Sequence, residues 1–471
     1  MPAQLTTRAQ VNGYRFLLKR IQHALVRRDV RMLHDPMRAQ IRSMVVGLVF
    51  AVLIVAGCAI LGLIRPQGQV GNAKIVTGKD TGALFVMVDG TLHPVLNAAS
   101  ARLITGSTEK PASVKESKLA EFPRGPLLGI PGAPVALLGS ASDSRNSQWS
   151  LCESTTPVGG LSRIVVAGAP RLDETIRPLS GDEAVLVSAA GKNYLLWDGR
   201  SAEFDPGNDA VTRALGLRSG TRFREAGVGL LNATAPVPPL TPPVIERAGQ
   251  PGPVPGTTIG SVIKVAGPDS AELYVVVAGG VQRITPFTAE VIRYADSQGL
   301  SEVPAVPPDA LRGVAVVEEL PVGLFPATRP RIVSPDVPVV CVAWSRADTA
   351  QTATLRLLTG QIWPLPDTAV PAVAASAGSD TDRIDAAYIR PSSGEFVQVT
   401  GNLPDSARRG ALYYIADTGI RYGIPDLATA EILGLGREPA PAPWQIVGQL
   451  VPGPSLSRAA ALVAYDSLAQ E

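Results

Sequence analysis

The chain has 471 residues, 45% of them hydrophobic, with 43 Lys and Arg against 41 Asp and Glu and a formal net charge of +2. Three histidines leave a His-rich metal centre without material. The near-neutral total hides an asymmetry: nine bases and two acids precede residue 43, which leaves 34 bases and 39 acids for the rest.

The first element predicted is a short basic helix. Thr7-Arg8-Ala9-Gln10 has the form of a capping box, with Thr7 at the N-cap and Gln10 reaching back to it. Val11, Tyr14, Leu17, Leu18, Ile21 and Leu25 then recur at helical spacing, while Arg15, Lys19, Arg20, Arg27 and Arg28 crowd the remaining surface. Pro36 disfavours helical geometry in the residue before it, so this helix is expected to end by Asp35. A basic amphipathic helix suits a partner helix or anionic lipid, and Tyr14, Arg15, Leu18, Lys19, Arg20 and Ile21 are its candidate contact residues. No DNA- or RNA-reading motif surrounds these bases, which argues against nucleic acid.

Ser43 to Ile64 follows, 22 residues with neither charge nor proline. As a helix it would extend roughly 33 Å, enough to cross the hydrocarbon core of a bilayer. A cleaved signal peptide has a shorter apolar region followed by a small-residue cleavage site. Here Arg65-Pro66-Gln67 follows, which predicts an uncleaved transmembrane anchor. The excess of bases before it places the N-terminus in the cytoplasm and some 400 residues outside.

Those residues are rich in turns: 46 Gly and 42 Pro in the whole chain make about 19% together, against roughly 12% in average usage. A weak internal repeat organises them. Leu84–Gly90 leads to Leu92–Val95 and an Ala-rich stretch ending at Leu103. Tyr194–Arg200 leads to Phe204 and Val211–Leu217. Tyr274–Val281 leads to Ile284 and Thr288–Ile292. Tyr413–Ile420 leads to Pro425 and Ala428–Leu435. Each copy reads as strand, glycine turn, strand and short helix, the glycine supplying the positive φ of a tight hairpin. Such a unit cannot bury its own apolar face, so the copies should pack on one another or on a shared sheet. Their spacing, roughly 110, 80 and 140 residues, is too uneven for a propeller or solenoid. Eight prolines between Ala235 and Gly256 form a strap expected to hold its ends apart and divide the ectodomain into two halves of two repeats.

Cys58 falls inside the apolar span and reads as an inert residue, whereas Cys152 and Cys341 fall outside, where disulfides persist. Trp149-Ser150-Leu151-Cys152 and Cys341-Val342-Ala343-Trp344 mirror each other. In an antiparallel register that sets Cys152 against Cys341, Trp149 also meets Trp344, on the opposite face. A Cys152–Cys341 disulfide closing a central module is therefore expected.

Chemistry is harder to find. Ala73-Lys74-Ile75-Val76-Thr77-Gly78-Lys79-Asp80 is the nearest approach to a phosphate loop, but it lacks the first glycine and carries an acid in place of the magnesium-binding hydroxyl. His23 and His34 precede the span, and His93 is the lone ectodomain histidine. Asp380/Asp382 and Glu318/Glu319 are paired acids in expected loops, and such pairs carry almost no weight. No catalytic, metal or cofactor residue is predicted, and no motif supports ATP.

The chain resembles the EccB family, the single-span core component of actinobacterial type VII (ESX) secretion. The resemblance is carried by Val11-Asn12-Gly13-Tyr14-Arg15-Phe16-Leu17-Leu18-Lys19-Arg20, Arg65-Pro66-Gln67-Gly68 and Leu92-His93-Pro94-Val95-Leu96-Asn97. Ser100–Leu103, Gly129–Pro134, Trp149–Cys152, Ile420–Pro425 and Ala442-Pro443-Trp444 extend it over nearly the whole chain. It implies an inner-membrane complex with EccC-, EccD- and EccE-like subunits near a mycosin protease, and self-association through the periplasmic ectodomain. It also implies four repeats, akin to phage endolysin wall-binding modules, around a disulfide-bearing central domain. Some members of that family are labelled ATPases.

The fold expected is a single-pass transmembrane helix plus a large β-rich α+β ectodomain, with four β-hairpin/helix repeats around a disulfide-linked central β domain. Its partition runs from the cytoplasmic region 1–42 and the span 43–64 to repeat one at 65–125 and the first part of the central domain at 126–170. Repeat two covers 171–234, the strap 235–258, repeat three 259–325, the second central part 326–375, and repeat four with the C-terminal segment 376–471. The function expected is a structural scaffold of the secretion complex; the alternatives are an anchored peptidoglycan-binding module and an ectoplasmic ATPase.

Overall fold

The computed structural model describes residues 7–28, 30, 36–64, 72–139, 146–156, 160–267, 271–347, 349–375 and 383–466. Arg65-Pro66-Gln67, Asp380 and Asp382 lie outside them.

Helix α1 spans Arg8–Arg27 and opens on the capping box, the Gln10 side chain accepting the Thr7 backbone N–H at 2.9 Å. It closes at Arg28, whose backbone is left-handed (φ 56°) and whose N–H reaches the Ala24 carbonyl, well inside the limit that Pro36 sets. Helix α2 spans Pro36–Ile64. It begins before the apolar run because Pro36 is preorganised for a first helical position and nothing after it breaks the helix. Its candidate membrane span is Gln40–Leu61, three residues N-terminal of the predicted Ser43–Ile64 at each end, and none of that window is buried within the protein.

Four small sheets follow one connectivity. The first holds Ile75–Gly78, Leu84–Val88 and Thr91–Pro94 as an antiparallel meander, then helix Ala98–Thr105, then Ala112–Val114 returning parallel to the first strand. The second runs Glu183–Ala189, Lys192–Trp197, Arg200–Phe204, helix Asp209–Ala214 and a return at Arg224–Glu225. The third runs Val262–Ala266, Ala271–Val277, Gly280–Ile284, helix Pro286–Ala295 and a return at Ala305–Val306. The fourth runs Gly394–Thr400, Leu412–Ala416, Ile420–Ile424, helix Leu427–Leu433 and a return at Ala440–Pro443. In each, a short polar side chain caps the helix: Asn97, Asn208, Thr285 and Asp426 accept backbone N–H groups one turn on. Asp89-Gly90 and Asp198-Gly199 have positive φ at both positions, the geometry that favours a two-residue hairpin. A side chain at Gly199 would also meet the Leu355 carbonyl.

Between them stands a seven-stranded central sheet built from both inserts. Its middle strands, Asn146–Thr155 and Val339–Ala347, pair antiparallel with Cys152 opposite Cys341 and Trp149 opposite Trp344, the register expected from the mirrored sequences. The disulfide is formed, with Cα atoms 4.0 Å apart. One face of this sheet packs Trp149, Leu151, Val340, Val342 and Trp344 against Val185, Val187 and Leu196 of the second sheet and Val397, Val399 and Ile415 of the fourth. The other face gathers Cys152, Ile164, Val166, Ile176, Cys341 and Leu358.

The small sheets pair differently from the expected halves. The first and fourth share a core through Leu103, Ile104, Tyr414, Tyr422 and Leu433, and Arg102 donates to the Leu433 carbonyl at 2.6 Å. The second and third share another through Leu195, Trp197, Val211, Val275, Phe287 and Val291. The strap itself packs on both of these sheets. Leu240 is buried in the second shared core and Val254 against the third sheet, while the Val237 and Leu240 N–H groups bond the strand Arg200–Phe204. Apolar residues interleaved with the prolines give the strap a face to bury.

Candidate functional site

Three features qualify as candidates: the α1 surface, the loop near the phosphate-loop-like stretch, and the centre of the ectodomain. On α1, Tyr14 and Ile21 are 67% and 53% exposed and Leu18 lies on the same stripe. Arg15, Lys19 and Arg20 stand on the flanks, also exposed. All six predicted contact residues are thus on one accessible helix.

At the loop Lys79–Thr81 the backbone amides meet a carboxylate. The backbone N–H groups of Asp80 and Thr81 donate to the Glu116 carboxylate at 3.1 and 3.0 Å, so the amides that would cradle a phosphate already hold an acid. A hydrogen bond from the Asp80 carboxyl, then the Thr81 N–H, holds Glu116 down to about 2, and the same Glu116 raises Asp80. His93 lies 3.1 Å from the Pro126 carbonyl through Nδ1. Glu318 and Glu319 fall in irregular chain. Among the described residues no group of three His, Cys, Asp or Glu side chains is placed to hold a metal ion. Tyr414 is buried, and Tyr194 and Tyr274 pack against core clusters.

At the centre, Glu153 follows Cys152 on its strand and is fully buried. Its carboxylate accepts the Gly227 N–H at 2.9 Å and Arg163 Nε at 3.2 Å. The buried Arg224 guanidinium donates to the carbonyls of Glu153 and Val337 at 2.9 and 2.7 Å. These bonds tie the second sheet and the helix Val228–Ala233 to the central sheet. Nothing local in the sequence marked Glu153, Arg163 or Arg224, because their partners lie 10 to 114 positions away.

Burial raises the Glu153 carboxyl above its ordinary value, against the lowering pull of the Gly227 N–H and Arg163. A carboxyl raised by folding contributes stability that is complete below the unfolded value of about 4.3 and is lost as pH rises through the folded value. Glu153→Gln removes that dependence. Thermal unfolding of both proteins from about pH 4 to about pH 8 should show the wild type losing stability relative to the variant as pH rises; a constant difference would contradict this assignment.

Among the described residues, one exposed apolar helix, a basic N-terminal helix and a large β-rich domain locked by a disulfide define the class: a membrane-anchored scaffold protein. Residues 3–470 match the family described as type VII secretion system ESX-1, transport TM domain B, and the chain belongs to this EccB family. It is 38% identical to the "ESX-3 secretion system ATPase EccB3" of Mycolicibacterium smegmatis, over 98% of this chain and 91% of that protein. It superposes on a chain of an intact ESX-5 inner membrane complex with a TM-score of 0.76 and 32% identity, covering 100% and 98% of the two chains. On a chain of the EccB3 dimer from the ESX-3 core complex the TM-score is 0.73 with 35% identity, covering 83% and 100%.

Proposed function

We propose that this protein is a structural subunit of a type VII secretion membrane complex, supporting export across the inner membrane from a single anchor. The observation that carries the reading is Gln40–Leu61, the one candidate span among the described residues, unburied within the protein, joined to an ectodomain whose phosphate-loop-like stretch is occupied by Glu116. Nine bases against two acids before the span support a cytoplasmic N-terminus and a periplasmic ectodomain. The α1 stripe of Tyr14, Leu18 and Ile21, flanked by Arg15, Lys19 and Arg20, is the surface for EccC- or EccD-like subunits or for anionic lipid. The ectodomain serves self-association and lies near the mycosin and the EccE-like subunit. The four small sheets are copies of one unit, each too thin to bury its own apolar face, which is why they pair.

Affinity purification of the tagged full chain from detergent-solubilised membranes, with mass spectrometry, tests the partners. EccC-, EccD- and EccE-like chains should co-purify, and the triple variant Tyr14→Ser, Leu18→Ser, Ile21→Ser should lose the cytoplasmic set while keeping ectodomain self-association. Protease shaving of spheroplasts tests the orientation. Digestion of residues before the span, with the C-terminal part protected, would overturn it.

A further inference from the structure

Residues 65–471 carry more acids than bases, 39 against 34, yet one cleft among them gathers four arginines. Arg346, Arg408, Arg409 and Arg437 line a cleft of about 770 Å³ in which Asp405 and Glu438 are the opposing charges. Three separate segments contribute the arginines: the end of the central strand Val339–Ala347, the loop before the fourth sheet's second strand, and the chain after the fourth sheet's helix Leu427–Leu433.

Two of these charges are uncommitted. Among the described residues neither Arg408 nor Arg409 makes an ion pair, and both are exposed. Arg437 is held by Glu431, and Arg346 spends its Nε on the Ala350 carbonyl at 3.1 Å. Asp405, Glu438 and, on Arg437, Glu431 offset much of this charge, so what the cleft offers an anion is the exposed, unpaired Arg408 and Arg409.

The form of the cleft indicates the anion. Arg346, Glu438, Pro439 and Pro441 also border a neighbouring cleft of about 310 Å³, so the two make a trough rather than a point site. A trough suits an extended chain better than a free phosphate. Gln351 supplies an amide that can bond peptide groups, as does the side-chain oxygen of Gln398, whose nitrogen is given to the Gly410 carbonyl, and guanidinium forks match carboxylates two bonds at a time. Asp405 and Glu438, with Glu395 in the neighbouring cleft, oppose a polymer charged at every unit and tolerate one whose acids are spaced. We propose that this trough docks an acidic, extended polypeptide segment.

The test uses the full chain in nanodiscs and a fluorescein-labelled peptide of alternating Glu and Ala, read by anisotropy at about 0.15 M ionic strength, where the Debye length is about 8 Å. Saturable binding is expected, weakened about tenfold or more by R408E/R409E. The same peptide with Gln for Glu should not bind. Arg218→Glu, an exposed change on the second sheet's loop, should leave binding unchanged, and matching thermal melts will show that R408E/R409E is folded. Arg437→Gln provides a second, milder variant, expected to weaken binding less. No binding of the acidic peptide, binding indifferent to R408E/R409E, or binding of inorganic polyphosphate in place of the peptide would each overturn the proposal.

Discussion

Replacing both Cys152 and Cys341 with alanine should destabilise the ectodomain by about 5 kcal/mol, the chain-entropy value for a loop this long. The disulfide closes a sequence separation of 189 residues, and the enclosed chain contains the whole second and third sheets. Its effect is therefore mainly on the unfolded ensemble, which loses much of its freedom while the bond is intact. The folded sheet has little need of the bond for register: nine residue pairs join the two central strands, and the apolar residues on both faces fix the alternation. Urea unfolding of three samples separates the contributions. Oxidised wild type should be the most stable. Reduced wild type, which keeps both sulfurs, should fall by nearly the full amount, and the double alanine variant slightly further for its lost volume. If reduced and oxidised wild type unfold at the same urea concentration, the disulfide does not constrain the unfolded chain in this way.

The parts of this architecture legible in the sequence are those that depend on short-range chemistry. The capping box at Thr7 and Gln10, the apolar run of α2 and the glycine turns each act within a few residues, so each left a pattern. The Cys152–Cys341 pairing is long-range and was still legible, because a tryptophan stands three residues from each cysteine in mirrored order and only one antiparallel register satisfies both pairs. The returning strands Arg224–Glu225 and Ala305–Val306 are two residues long, too short for a period of two to register. Which small sheets share a core was also hidden. Pairing of the first with the fourth is decided by helix-to-helix contacts such as Arg102 on the Leu433 carbonyl, 331 positions apart. The proline count of the strap spoke to stiffness alone, and its burial through Leu240 and Val254 between the prolines left no local pattern. Glu153, and the trough arginines from separate segments, become visible only when folding brings distant chain together.

Trp344→Ala should cost about 3–5 kcal/mol, the range for deleting a large aromatic from a core. Trp344 is 1% exposed and faces Trp149 across the central strands. The cluster it belongs to joins the central, second and fourth sheets, and the neighbours are too constrained by three sheets to collapse into the vacated space. The two tryptophans should nevertheless differ on replacement by phenylalanine. Trp149 Nε1 donates to Ser147 Oγ at 3.1 Å, so Trp149→Phe removes a buried hydrogen bond and leaves a hydroxyl without its donor. Trp344 Nε1 is buried with no hydrogen-bond partner among the described residues, so Trp344→Phe removes a group whose desolvation is uncompensated and offsets part of the volume lost. Urea midpoints should therefore rank wild type first, then Trp344→Phe, then Trp149→Phe, with Trp344→Ala lowest. Were Trp344→Phe as damaging as Trp149→Phe, the indole N–H at 344 would have to be bonded, and shape alone would not account for that tryptophan in the sheet that locks the scaffold together.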